Sequence, residues 1–251
     1  MGAIVGPPGA GKGSLAIQLC VAVASGTSLV DAWHTAAPEP VVYLSAEDDA
    51  LTIHRRVHHA LEQLPEDLRE QAAANFYGIP VHGGVNLCRA IGGTVESTAN
   101  YEDLRNILDA IRPRLLVLYT LARFSGVDEN DNPAMTAFCG LLEGLIDAYG
   151  CNIILLHHSN KTSGDLIEDP KELAKALTQT AMRGASALAG CIRWGMLVAP
   201  LGAAPPRSGS VNPPPGNTTE RFSPCASARR TAAARSPAIT SGVMSTACSI
   251  V

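Results

Sequence analysis

The residues with the clearest chemical meaning stand at the start of the chain. Residues 6–12 read GPPGAGK and fit the pattern G-x-x-x-x-G-K, between the apolar run 3–5 and a helix predicted over 12–24. Glycines let backbone N–H groups turn toward a polyphosphate, the helix N-terminus adds partial positive charge, and Lys12 can reach the β- and γ-phosphates. A structural Gly-rich turn seldom combines all three features. The predicted nucleotide-binding residues are Gly6, Pro7, Pro8, Gly9, Ala10, Gly11, Lys12, Gly13 and Ser14.

The residue after the lysine departs from this pattern. The hydroxyl that usually follows the lysine and binds Mg²⁺ is replaced by Gly13, and Ser14 comes one residue later, about 100° further around the helix. The sequence GPPGAGKGS also resembles the phosphate loop of adenylate kinases, where Gly and then Thr follow the lysine. A nucleotide kinase is therefore an alternative function, although the sequence shows no Arg-rich lid.

Two further strand ends carry residues that could act on a phosphate. Glu47 follows the predicted strand 41–44, and His158 follows the predicted strand 153–156. Ligands of open α/β sheets lie beyond the carboxyl ends of the strands, so both side chains are expected beside the phosphate loop. There Glu47 could deprotonate a water molecule, and His158 could donate a hydrogen bond to the γ-phosphate. The alternative for Glu47 is a solvated turn; Asp48 and Asp49 are expected to cap the next helix.

The remaining candidates are less specific. The strand 115–119 ends in Tyr119, where an aspartate usually holds the water shell of Mg²⁺; a neutral phenol cannot replace that anion, so we interpret Tyr119 as a packed aromatic. Arg193 could reach the phosphates of a neighbouring subunit, although a lone arginine is usually a surface charge. The seven cysteines form no CxxC pair and indicate reduced thiols, and no residues have the spacing of a metal site.

Short apolar runs alternate with helical patterns up to about residue 198. This alternation is typical of an α/β fold, a mainly parallel β-sheet with helices on both faces. The run at 115–118 is apolar on both faces, as an interior parallel strand requires. The predicted strands are 3–5, 41–44, 76–81, 115–119, 153–156 and 191–198, and the predicted helices are 12–24, 51–64, 101–111 and 135–148.

Composition separates the chain into two parts. Of its 251 residues 46% are hydrophobic, yet no apolar run reaches the length of about 18–20 residues that a membrane span needs, and no leader pattern follows Met1. A soluble, cytoplasmic protein is therefore expected. Residues 1–200 form the predicted ATPase domain and carry a net charge of −8, whereas residues 201–251 carry +4 and are rich in Ala, Ser, Pro and Arg. This tail is expected to be disordered, as a basic nucleic-acid-binding arm, a linker or sequence out of frame.

Taken together, the segments GPPGAGKGS, VVYLSAED, RLLVLYTLARF, CNIILLHHSNK, MRGASALAG and IRW resemble the RepA-type plasmid replicative helicases. These are RecA-like hexameric P-loop ATPases of the DnaB group and AAA family ATPases. The resemblance covers about residues 2–198. It implies a homohexamer that moves along single-stranded DNA using ATP and Mg²⁺.

The same resemblance implies roles for individual residues. Lys12 matches the phosphate-loop lysine, Glu47 the catalytic glutamate, His158 the γ-phosphate sensor and Arg193 the arginine finger. The segments 125–133 and 159–180 match loops that face the central channel, where Lys161 could touch DNA, and Arg183 opens the segment that follows the second loop. The chain departs from the family at Gly13, at Tyr119 and after about residue 197. The first two departures leave open a nucleotide-binding module that does not hydrolyse ATP.

Overall fold

The computed structural model describes residues 1–30, 35–159 and 186–198. Within these residues, eight strands and seven helices follow one another along the chain. They are β1 (Gly2–Gly6), α1 (Lys12–Ser25), β2 (Val41–Ser45), α2 (Ala50–Glu62), α3 (Glu66–Asn75), β3 (Phe76–Pro80), β4 (Cys88–Ile91), β5 (Thr94–Ser97), α4 (Ala99–Ile111), β6 (Leu115–Tyr119), α5 (Leu121–Ser125), α6 (Asn132–Tyr149), β7 (Asn152–His158), α7 (Ser186–Cys191) and β8 (Trp194–Leu197).

Six of the strands form one sheet in the order β3-β2-β6-β7-β1-β8. Every neighbouring pair is parallel, so the carboxyl ends of all six strands lie along the same edge. The register sets Gly6 beside His158 and Ser45 beside Tyr119 at that edge. This sheet with flanking helices confirms the predicted α/β, RecA-like P-loop fold.

The two faces of the sheet pack into two separate hydrophobic cores. One core packs against α4–α6 and contains Val5 and Leu118, and the other packs against α1–α3 and contains Ile4 and Val117. Adjacent residues of a strand thus enter opposite cores, because side chains alternate across a strand. Both faces are covered, which explains why the central strands are apolar throughout.

Several elements lie where the sequence patterns predict none. The helix α3 buries only Ala72 and has no apolar stripe to reveal it. The hairpin β4–β5 turns at Gly92 and Gly93, whose positive φ angles suit a two-residue loop, and this Gly-Gly signal was missed. The short helix α5 is also new. The predicted strand 191–198 is wrong at its start, because Cys191 still belongs to α7 and β8 begins at Trp194.

Some of the predictions fall on residues outside the described ranges. They concern most of the loop at 159–183, with Lys161 and Arg183, and the tail at 201–251. The division of the chain near residue 200 therefore stays a prediction. In the part of the chain that the structure describes, no helix is long and apolar enough to cross a membrane.

Candidate nucleotide site

The phosphate loop connects β1 to α1 in a backbone conformation that requires glycine. Gly9 and Gly11 have φ angles of 77° and 86°, in the left-handed region that other residues rarely adopt. Gly11 is also the N-cap of α1, and no side chain caps that terminus or places a carboxylate in its first turn. The N–H groups of the first turn can therefore bind an anion, as the sequence pattern predicts.

Lys12 lies in the centre of this loop and is only 3% exposed. Its Nζ donates hydrogen bonds to the carbonyl oxygens of Gly6 and Pro7, both at 2.8 Å. An ammonium group has three N–H donors, so one remains for a further acceptor. Burial lowers the pKa of Lys12, and the negative charge of Glu47 opposes this shift. The lysine and the carboxylate therefore share one electrostatic environment.

Glu47 lies just beyond the end of β2 and is held there by several hydrogen bonds. Its Oε1 is 3.2 Å from Thr120 Oγ1, which donates to it, and 3.2 Å from His158 Nε2. Burial raises the pKa of Glu47, but the effects of His158, Tyr119 and Thr120 together outweigh burial and leave the pKa below its usual value. The carboxylate is therefore ionised at neutral pH and can act as a hydrogen-bond acceptor or a base.

His158 reaches Glu47 from the end of β7, which lies beside β1 in the sheet. Because an ionised carboxylate only accepts hydrogen bonds, Nε2 carries the proton in this contact. The other ring nitrogen, Nδ1, is buried and has no hydrogen-bond partner among the described residues. The structure thus brings together the ends of β1, β2 and β7, with Lys12, Glu47 and His158. Their roles in hydrolysis stay predictions.

The residues where a metal would be expected do not fit Mg²⁺. A Cβ atom built on Gly13 would lie 2.9 Å from Arg56 Nη1 and 3.0 Å from Tyr119 Cε1, so two other side chains occupy the place of the usual hydroxyl. Burial, followed by the negative charge of Glu47, raises the pKa of Tyr119, so its phenol is neutral. Ser14 is exposed one position further along α1. A hard cation prefers oxygen ligands with negative charge, and a guanidinium repels it.

The pairing of Asp48 with Arg56 was not predicted from the sequence. Asp49 caps α2 as predicted, since its Oδ1 accepts a hydrogen bond from the Thr52 backbone N–H at 2.7 Å. Asp48 instead forms an ion pair with Arg56, Nη1 to Oδ2 at 2.5 Å. The expectation that both aspartates cap the helix was therefore wrong for Asp48. A signal was present, because Arg56 lies beside the apolar stripe of α2, one residue before the buried Val57.

Tyr119 has a second effect besides the predicted packing. Its ring packs against Tyr43, with 6.4 Å between ring centroids, as expected for an aromatic residue at a strand end. Its phenol also lowers the pKa of Glu47. Tyr119 therefore affects the ionisation of the carboxylate as well as the packing of the core.

Arg193 is not part of this group. It is exposed, and its backbone N–H donates to the carbonyl oxygen of Met1 at 2.8 Å. The following residue, Trp194, lies beside Gly2, so Arg193 is at the amino end of the strands, opposite the phosphate loop. A contact with the phosphates of a neighbouring subunit stays a prediction.

The fold and the phosphate loop define the class of this protein, a RecA-like P-loop nucleotide-binding protein. Residues 1–164 match the family model of the AAA domain. The chain therefore belongs to this family of ATP-binding P-loop ATPases, and the matched region contains Lys12, Glu47 and His158.

Proposed function

We propose that the protein is an ATP-driven motor of the replicative-helicase kind, which moves along single-stranded DNA as a homohexamer. The observation that carries the proposal is the contact between Glu47 and His158 next to Lys12. It joins a candidate base on one strand to a candidate phosphate sensor on another. The resemblance to RepA-type helicases and the membership of the AAA family support the same function.

Different residues of the chain have different roles in this mechanism. The loop amides and Lys12 bind the phosphates of ATP, the substrate. Ionised Glu47 orients a water molecule and accepts its proton, while Thr120 and His158 fix the carboxylate. Because His158 Nε2–H can donate either to Glu47 or to a terminal phosphate, its choice of partner reports the state of the nucleotide. The change of hydrogen-bond partner at His158 is then transmitted along β7 toward the segment that follows Ser159.

The segment 125–133, the predicted channel loop that the structure describes, contains no positively charged residue. Its carboxylates bind locally: Asp131 caps α6 through the Ala134 N–H, and Asp128 accepts a hydrogen bond from the Asn130 N–H. Contacts to DNA phosphates are therefore assigned to residues elsewhere, of which Lys161 is the candidate from the sequence.

A specific observation favours a second candidate function. Arg56 and Tyr119 stand where the metal-binding groups of an ATPase are expected, so the protein could bind ATP without turning it over. A nucleotide kinase remains a third candidate, supported only by the sequence GKGS at residues 11–14. The three functions differ in what happens to the terminal phosphate: release to water with stimulation by DNA, retention, or transfer to a nucleotide.

The test measures ATP binding, phosphate release and phosphate transfer to AMP in the same preparation, with and without single-stranded DNA. The proposal expects DNA-stimulated phosphate release that Lys12→Ala abolishes. Unchanged activity in Lys12→Ala would reject the site. Tight binding without release would support the inactive module, and formation of ADP from AMP would support the kinase. Sedimentation with an ATP analogue and DNA tests the hexamer.

A further inference from the structure

The first turn of α1 lies against a positive charge that belongs to the protein. The Arg56 guanidinium is 2.9 Å from the position of a Cβ atom on Gly13, the residue directly after Lys12. Arg56 is on α2, which packs against α1, and its side chain is 35% exposed. The absence of a side chain at Gly13 leaves room for the guanidinium at this point.

Asp48 holds the guanidinium in this position. The Asp48 carboxylate is 10% exposed and bonds Arg56 Nη1 through Oδ2 at 2.5 Å. Its backbone N–H donates to Ser45 Oγ at 2.9 Å, which fixes the turn that carries it. A guanidinium has five N–H donors, so a single contact to Asp48 leaves others available to a second anion.

Arg56, Gly13 and Tyr119 together change the chemistry of this side of the site. The two positions that usually hold a metal and its water have neither the usual hydroxyl nor the usual carboxylate, since one is glycine and the other a neutral phenol. A polyphosphate in this loop still needs positive charge beyond that of Lys12, and Arg56 lies close enough to the loop to provide it.

We infer that Arg56, held by Asp48, takes the place of the divalent cation, so that this site binds ATP in its metal-free form. The inference rests on nucleotide binding by the phosphate loop and concerns how that loop neutralises its ligand. It assigns a binding role to Arg56 and a positioning role to Asp48.

The experiment measures the Kd of a fluorescent nonhydrolysable ATP analogue in excess EDTA and in excess Mg²⁺. The wild-type Kd should differ by less than about threefold between the two conditions. Arg56→Gln should weaken binding in EDTA by about tenfold or more, since it removes a charge-assisted contact. The matched control is Arg55→Gln, an exposed arginine on the same helix turn, which should bind like wild type.

A variant that restores the usual groups provides the opposite test. In Gly13→Ser/Tyr119→Asp/Arg56→Gln the hydroxyl and the carboxylate return and the guanidinium is absent. Mg²⁺ should tighten its analogue binding by about tenfold or more relative to EDTA. A thermal melt shows that each variant is folded. Asp48→Asn should weaken wild-type binding in EDTA by less than Arg56→Gln does.

Three results would overturn the inference: loss of wild-type binding in EDTA, equal behaviour of the Arg55 and Arg56 variants, or no Mg²⁺ dependence in the triple variant. Lys12→Ala separates these results from a failure of the nucleotide site itself. If Lys12→Ala binds the analogue as wild type does in both conditions, the loop is not the nucleotide site. If Lys12→Ala loses binding while the wild type needs Mg²⁺, only the role of Arg56 fails.

Discussion

The phosphate loop has two neighbouring sides that differ in their chemistry. The proton side, formed by Glu47, Thr120 and His158, has an ionised carboxylate held by two hydrogen-bond donors. The cation side, formed by Gly13, Asp48, Arg56 and Tyr119, has an ion pair and a neutral phenol where metal ligands are expected.

This difference shows that binding and hydrolysis are separable in the site. The groups of the proton side can fix a water molecule, whereas the groups of the cation side decide which ion balances the charge of the phosphates. Two residues link the sides: Tyr119 lies against Gly13 and lowers the pKa of Glu47, and Ser45 Oγ accepts hydrogen bonds from the backbone N–H groups of Glu47 and Asp48. Substitutions that leave these two residues in place should therefore affect mainly hydrolysis or mainly nucleotide binding.

The largest effect is expected from Glu47→Gln. The amide keeps the size of the side chain but cannot accept a proton, so the rate of DNA-stimulated ATP hydrolysis should fall by about 10²–10⁴-fold with analogue binding nearly unchanged. Phosphate release and analogue titration measure the two quantities. Glu96→Gln on β5, an exposed glutamate paired with Arg89, is the matched control. A parallel loss of binding and rate would show that the two sides are not separable.

A smaller effect is expected from Gly11→Ala, which changes the loop shared by both sides. Gly11 has a φ of 86°, and alanine in this conformation costs about 1–2 kcal/mol. The free energy of unfolding and the analogue affinity should both fall. Gly140→Ala is the control, because Gly140 is an exposed residue inside α6 with open space around its Cβ position. It should raise the free energy of unfolding by up to about 1 kcal/mol. Urea titration measures the free energy of unfolding of both variants, and analogue titration measures their affinity.

Asp49→Ala tests whether adjacent aspartates have different roles. Asp49 caps α2 through the Thr52 N–H, so loss of this cap should lower the free energy of unfolding by a small amount. Analogue affinity should not change, in contrast to Asp48→Asn. Chemical denaturation measures the stability of the two variants, and analogue titration measures their affinity. A loss of affinity in Asp49→Ala would place Asp49 in the nucleotide site.

The fold and two residues of the proton side, Glu47 and His158, could be predicted because each depends on a local pattern, whereas Thr120 was not predicted. The strands β1, β2, β6 and β7 are short apolar runs, and parallel order alone places Glu47 and His158 at one edge. The contact itself reaches across the end of β6, which lies between β2 and β7 in the sheet.

The cation side could not be predicted in the same way. The pairing of Asp48 with Arg56 spans eight residues between a turn and a helix, and it depends on how α2 packs against α1. The sequence shows that Gly13 lacks a hydroxyl, but it does not show which side chain fills the space. Similarly, α3 has one buried residue and no stripe, so only its packing against α1 reveals it.

The smallest effect, and the sharpest test of the proton side, is the titration of Glu47. Its pKa lies below the usual value because the effects of His158, Tyr119 and Thr120 together outweigh burial. A lowered pKa in the folded state adds stability above the unfolded pKa, and this stability is lost as the pH falls through the folded pKa. His158→Ala removes the strongest of these effects, so the Glu47 pKa should rise. Thr120→Val should raise it less, since the bond from Thr120 contributes less. The carboxyl carbon shift of Glu47, followed by NMR against pH, measures both. Equal shifts in the two variants, or a fall in either, would show that hydrogen bonding from His158 does not dominate this carboxylate.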